Sequence, residues 1–318
     1  MAYSAGDTIL DDEYNTFVNS SSDPYGYNHF AGTGATVYGL NQSSISTVSA
    51  GGTVQASQWN SLFTGLDNIA NHTNVSITSS SVSSGDTIAI RSALITDLAN
   101  LAAAVAGGST SATAIDSPAS AGSSTNSGTW NSTSTIERSI TFANNATMRA
   151  FFNAGGYVRI DPSCVTGIDG SKDTVFDDLT TTAIGNLDLK AHTSTRSGSG
   201  ETTTTNGLSN GFHDLGTGYT VLLKLTSNNS GYTSNTVEIS AKLNAAVSSA
   251  TVITIKMVST DPADDTTYTS PNTSSVPANP NEAPRMTLAL LTANPNDTQG
   301  LAADITPSSN AEVSNSTS

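Results

Sequence analysis

Two periods of hydrophobicity divide the chain. In its N-terminal third, apolar residues recur at steps of three and four, which places one apolar stripe on a helix. Leu10, Tyr14, Phe17 and Val18 form the first set. Trp59, Leu62, Phe63, Leu66 and Ile69 form the second. Leu94, Leu98, Leu101 and Val105 form the third, with Ile95 and Ala102 beside them. These sets predict a first helix after Ile9 and further helices over 57–70 and 91–105. The run Asp11-Asp12-Glu13 suits the positive end of the first helix dipole.

A related hexamer precedes each helix. Ser4-Ala5-Gly6-Asp7-Thr8-Ile9 returns as Ser49-Ala50-Gly51-Gly52-Thr53-Val54 and again as Ser83-Ser84-Gly85-Asp86-Thr87-Ile88. The shared pattern, Ser-x-Gly-x-Thr-Ile/Val, predicts a tight glycine turn, one extended β-branched residue and then an amphipathic helix. Unequal intervals between the copies exclude a solenoid. A single apolar stripe must be covered by something. In so short a segment this makes Trp59, Leu62, Phe63, Leu66, Leu94, Leu98 and Leu101 the candidate assembly and docking residues.

From Gly107 to Thr135 the chain is nearly all Ser, Thr, Ala, Gly and Asn, which reads as a linker or extended arm. Trp130 is the exception and is expected to dock the end of that arm. From Ile136 the period changes to two. Ile136, Arg138, Ile140 and Phe142 share one face of a strand, and Glu137, Ser139 and Thr141 the other. Asn144 or Asn145 is placed to cap a short helix carrying Met148, Phe151 and Phe152, which Gly155-Gly156 stops with a positive φ. That helix face is expected to seal the β core, with Phe151, Phe152, Gly155 and Gly156 as a structural motif and Tyr157–Ile160 as the returning strand. Val175, Phe176 and Leu179 predict another short helix. Strands follow at 219–225, 237–243, 253–257 and 286–291, each with one buried face. The predicted fold is mainly β with an α-helical N-terminal segment and a β-sandwich-like C-terminal domain. Its expected divisions are a helical segment over 1–106, a linker over 107–135, the sandwich over 136–293 and a polar tail over 294–318.

Composition narrows the function. Lys and Arg number 11 against 26 Asp and Glu, a net charge of −15, so the chain lacks the clustered cations that phosphate backbones or anionic lipids require. Ser and Thr make up about 30% of the residues, far above ordinary usage, so solubility rests on hydroxyls and amides. The longest apolar stretch, Leu98–Ala106, is too short to span a bilayer. The opening residues Met1–Asp7 lack the basic and apolar regions of a secretory leader, so none is expected. One cysteine, Cys164, excludes an internal disulfide framework and a multi-thiolate metal site.

Candidate chemistry is sparse. His29, His72, His192 and His213 are scattered, none with a second ligand at metal-binding spacing. Cys164 has no recognisable catalytic neighbour and reads as a small buried or half-buried residue. No Gly-x-Ser-x-Gly elbow occurs, and Gly32-Thr33-Gly34 and Gly51-Gly52 read as turns. Asp261, Asp264 and Asp265 are oxygen ligands suited to Ca2+, weighed against a solvated acidic turn, which the missing loop glycine favours. Paired carboxylates for glycoside cleavage usually come with many aromatics, and the chain has 2 Trp. The expectation is therefore no enzyme, no cofactor, no metal, and no catalytic or cofactor-binding residues.

Two stretches resemble structural proteins of tailed bacteriophages, especially those of marine cyanobacteria. Thr53-Val54-Gln55-Ala56-Ser57-Gln58-Trp59-Asn60-Ser61-Leu62 is similar to an element found near the start of many phage fibre and appendage proteins. The stretch Met148-Arg149-Ala150-Phe151-Phe152-Asn153-Ala154-Gly155-Gly156-Tyr157-Val158-Arg159-Ile160 resembles a more specific virion-protein signature. Gly211–Leu215 and Tyr232–Ile239 fit its later part. The long Ser/Thr/Gly insert before Ile136 and the lack of an obvious receptor-binding tip depart from that pattern. The resemblance implies a tail- or neck-associated fibre or appendage protein, with a capsid decoration protein as the alternative. A virion-associated carbohydrate- or peptidoglycan-degrading enzyme is the second alternative. It further implies copies of the same chain, other virion proteins and a host-surface glycan as partners. It places the protein in the virion after assembly in the host cytoplasm, and it carries no catalytic residue with it.

Overall fold

The computed structural model describes residues 11–22, 25–31, 42–83, 91–106, 115–126, 130, 132–165, 171–262, 284–295 and 305–318. The chain falls into two units. One comprises Met1–Ser117, Asn144–Gly156 and Asn294–Thr306, and the other Pro118–Ala143, Tyr157–Ala293 and Pro307–Ser318.

The first unit is helical. Its helices are α1 (Asp11–Asn19), α2 (Tyr27–Ala31), α3 (Ala56–Thr73), α4 (Arg91–Ala106) and α5 (Asn145–Asn153). At the start of α3, the Gln55 backbone N–H donates to the Gln58 side chain at 2.8 Å. It ends where Asn74 takes a left-handed φ of 55° and the Val75 N–H turns back onto the Ala70 carbonyl. The Trp59 ring meets Tyr14 edge-on with centroids 5.2 Å apart and lies 5.8 Å from Phe63. Gly65 lets α3 and α2 approach, because a Cβ there would come within 2.6 Å of the Tyr27 ring.

The apolar stripes expected to await docking are covered. Trp59, Leu62, Phe63, Leu66, Leu94, Leu98 and Leu101 are all buried within the chain. They are core residues, because α1, α2 and α4 pack with α3 over the faces that periodicity leaves open.

Helix α5 forms as its residues dictate. The Asn144 side chain caps it by accepting the Thr147 N–H at 2.9 Å. At its end Gly155 takes φ 87°, with Gly155 N–H on the Phe152 carbonyl and Gly156 N–H on the Phe151 carbonyl. Phe151 and Phe152 are fully buried, but α5 belongs to the helical unit and not to the β core. Helical spacing defines a face without defining what covers it. The His72 ring of α3 joins the turn after α5, its Nε2 2.6 Å from the Ala154 carbonyl.

The second unit is a mainly β, sandwich-like fold of two antiparallel sheets. The strands are β1 (Ala119–Thr125), β2 (Thr133–Thr141), β3 (Tyr157–Val165), β4 (Leu187–Leu189), β5 (Ser194–Arg196), β6 (Thr202–Asn206), β7 (Thr220–Thr226), β8 (Thr236–Leu243), β9 (Val252–Thr260), β10 (Arg285–Ala293) and β11 (Ser309–Thr317). One sheet runs β1-β10-β3-β4-β5 and the other β11-β2-β9-β8-β7-β6. Alternate residues supply the core, among them Ile136, Ile140, Val158, Ile160, Val237, Ile239, Ile253, Ile255, Leu288 and Leu290, all fully buried. Helix α6 (Ser171–Asp177) and the π-helical Asp178–Ile184 bury Phe176, Leu179 and Ile184 against β3, β7 and β8.

The expected linker and tail each contribute a strand. β1 pairs with β10, and β11 pairs with β2 from Ser309 opposite Thr141 to Thr317 opposite Ser134. Their pairing uses backbone groups, which every residue carries and which a Ser/Gly-rich composition conceals. Arg138 on the inner face of β2 ties them in. Its guanidinium donates to Ser124 Oγ of β1 at 2.5 Å and to Asn310 Oδ1 of β11 at 2.8 Å. Trp130 is buried and bonds the Pro284 carbonyl through Nε1 at 2.8 Å, so it docks the end of the arm as its isolation suggested.

Candidate functional site

The helical unit holds segments without secondary structure against its helices by a recurring device. Asn15 of α1 takes both backbone groups of Val48: its Oδ1 accepts the Val48 N–H at 2.7 Å and its Nδ2 donates to the Val48 carbonyl at 2.8 Å. Asn28 of α2 does the same to Ile45, at 2.9 and 2.8 Å. Asn60 of α3 does the same to Val82, at 2.8 and 2.9 Å. An Asn amide offers a donor and an acceptor side by side and so reproduces half a β-ladder step. A buried carboxylate supplies the fourth clasp. Asp97 of α4 accepts the Ser79 N–H at 2.8 Å and Oγ at 2.7 Å, and the Thr78 N–H at 3.0 Å.

Two of these clasps coincide with the hexamer repeat. Asn15 stands the same distance after Gly6 as Asn60 does after Gly51. Val48 stands the same distance before Gly51 as Val82 does before Gly85. The repeating unit is therefore a turn, a helix bearing a clasping Asn, and a strap that leads into the next turn. The turn of the middle copy is described: Gly51 has φ 75° and the Gly52 N–H bonds the Ser49 carbonyl at 2.8 Å. The turns of the first and third copies lie outside the described residues. Sequence reading missed Asn15, Asn28, Asn60 and Asp97. The matched positions of Asn15 and Asn60 within their copies were the available signal.

Between the first strap and α3 lies an open groove of about 870 Å3. One wall is Gln42–Ser46, and the floor is the α3 stripe Ser57, Ser61, Thr64 and Asn68. Among the described residues no charged side chain lines it. Tyr14 and Tyr27 also border it; both side chains are buried, and their hydroxyls donate to the Gln58 and Ser43 carbonyls at 3.3 Å.

The candidate chemical groups are engaged elsewhere. Burial pushes the Cys164 thiol up to about 12, with the Asp173 and Asp177 carboxylates adding to the shift, which disfavours the thiolate a nucleophile needs. Arg159 forms a two-bond pair with Asp188, at 2.7 and 2.9 Å. His29 stacks on Tyr25 with centroids 4.1 Å apart, and His192 stacks on His213 at 4.9 Å. Asp261 is fully buried, unlike the carboxylate of a solvated turn, while Asp264 and Asp265 lie outside the described residues. Among the described residues no three His, Cys, Asp or Glu side chains gather as a metal site, and no helix is long and apolar enough to cross a membrane. Compared with known proteins, the chain matches no family model, no curated protein and no solved structure.

Proposed function

We propose that the chain is a structural component of a tailed-phage particle, a tail- or neck-associated fibre or appendage protein that acts by assembly and not by catalysis. The observation that carries the reading is where the two phage-like stretches fall. Most of each lies in the helical unit: Trp59 is central to its aromatic core, and the Phe151–Gly156 turn is bound to α3 through His72 and Ala154. Two stretches far apart in sequence thus serve one unit, as shared descent from a single assembly module would require. The paired Arg159 and the protonated Cys164 supply no reactive group to an enzymatic alternative.

Quantitative mass spectrometry of purified virions, with immunogold labelling by antibodies to this chain, tests the proposal. The expected result is label on the tail or neck at a copy number well below that of the major capsid subunit. Label over the whole head at lattice copy number would move the protein to the head surface. Absence from purified particles would overturn the reading.

A further inference from the structure

We infer that the groove between the Gln42–Ser46 strap and α3 binds an extended, uncharged, hydroxyl-rich polypeptide segment supplied by another molecule. Two amides there lack partners. Gln42 is 4% exposed, yet its Nε2 has no hydrogen-bond partner. Asn68 lines the same groove, and no hydrogen bond engages its side chain. An unpaired amide as buried as that of Gln42 costs stability unless a ligand completes it, and the half-buried Asn68 amide is open to one.

The strap itself presents free backbone. Asn28 and Asn15 take the N–H and carbonyl groups of Ile45 and Val48, and Tyr27 takes the Ser43 carbonyl. The backbone groups of Ser44 and Ser46, between them, are bonded to nothing in the protein, and both residues line the groove. Exposed strand-like backbone beside a shaped groove is the arrangement in which a peptide adds alongside.

The lining selects the occupant. A charged segment would leave its ions unpaired against Ser57, Ser61, Thr64 and Asn68. A sugar would find no open aromatic face, since the Tyr14 and Tyr27 rings are buried. The unit already shows what it accepts, because Asn15, Asn28 and Asn60 each hold a β-branched residue within a Ser/Thr-rich strap. Asn68 is placed to make the same two-bond grip on an incoming chain. From Ser57 to Asn68 the helix runs about 16 Å, the length of about five extended residues.

The inference deepens the assembly reading, and the two fail separately. Peptide binding by the isolated chain is measurable whatever its place in a particle, and a virion location does not depend on this groove. The test titrates the isotope-labelled full-length chain with the peptide Val-Ser-Ile-Thr-Ser-Ser-Ser-Val-Ser, the chain's own 75–83 strap. Resonance shifts are expected at the Ser44 and Ser46 amides and at the Gln42 and Asn68 side chains. Asn68→Ala should bind roughly tenfold more weakly, as loss of one two-bond amide grip implies. Thr64→Arg, at an exposed groove position, should abolish binding while melting like the parent. The proposal is overturned if those resonances stay fixed at millimolar peptide, or if both variants bind as the parent does. It is equally overturned if a neutral oligosaccharide shifts them and the peptide does not.

Discussion

In the β unit, backbone pairs with backbone: β2 is bonded along its length to β9 on one side and β11 on the other. In the helical unit the described segments 42–55 and 74–83 have no such ladder, and single side chains hold them instead. Asn15, Asn28, Asn60 and Asp97 each grip one or two residues of a strap. A ladder spreads its hydrogen bonds over many residues, so no one side chain carries the pairing. A clasp concentrates them, so one substitution frees a segment. The same chain therefore contains a unit whose backbone tolerates side-chain change and one whose backbone depends on it.

The largest expected effect lies in the aromatic core of the helical unit. Trp59→Ala and Phe151→Ala should each cost about 3–5 kcal/mol, the range for emptying a buried aromatic site. Hydrogen exchange read by mass spectrometry should show α3 and α5 opening faster while β8 and β9 keep their protection. Equal acceleration in β8 and β9 would break the division into units.

A smaller effect should follow from Arg138→Met, a place where the β unit also leans on a single side chain. The substitution removes the bonds to Ser124 and Asn310 and should cost about 2 kcal/mol, as hydrogen bonds to a charged group do. Urea denaturation measures the loss, and exchange should rise in β1 and β11 before the central strands. If β1 and β11 stay as protected as β9, Arg138 is not what joins them.

The smallest effect separates the units by acid. Burial holds the His72 imidazole below its ordinary pKa of 6.5, outweighing the opposing pull of its bond to the Ala154 carbonyl. The unfolded chain then binds the proton more readily than the folded one. His72 therefore costs the helical unit nothing above pH 6.5, and the unit loses stability as pH falls below that value. Melting followed from pH 8 to 5 should show this decline, and His72→Gln should flatten it. An unchanged slope in the variant would remove His72 as its source.

Much of the fold was legible because side-chain period reports burial. Steps of three and four located α3, α4 and α5, and steps of two located β2, β7, β8, β9 and β10. What period does not report is the partner. Phe151 and Phe152 show a helical face, and nothing in their spacing says that their helix belongs with the helical unit and not with a sheet. Nor does period reveal strands whose side chains are mostly polar and exposed, such as β6 and β11, or β1 with its small Ala, Gly and Ser residues. The clasping Asn residues were hidden for a related reason. An Asn on a helix reads as a solvated residue unless the repeat is aligned and its position compared between copies.

The clasp is what holds the straps of the helical unit, and amide exchange by NMR at Val48 and Val82 tests it most directly. In the parent protein both amides should be protected, although neither lies in a helix or strand. Asn15→Ala should release Val48 alone and Asn60→Ala should release Val82 alone, each by about tenfold or more for the loss of a two-bond grip. Val48 and Val82 exchanging as fast as the exposed Ser44 and Ser46 amides in the parent protein would contradict it, as would each variant leaving its own partner amide protected.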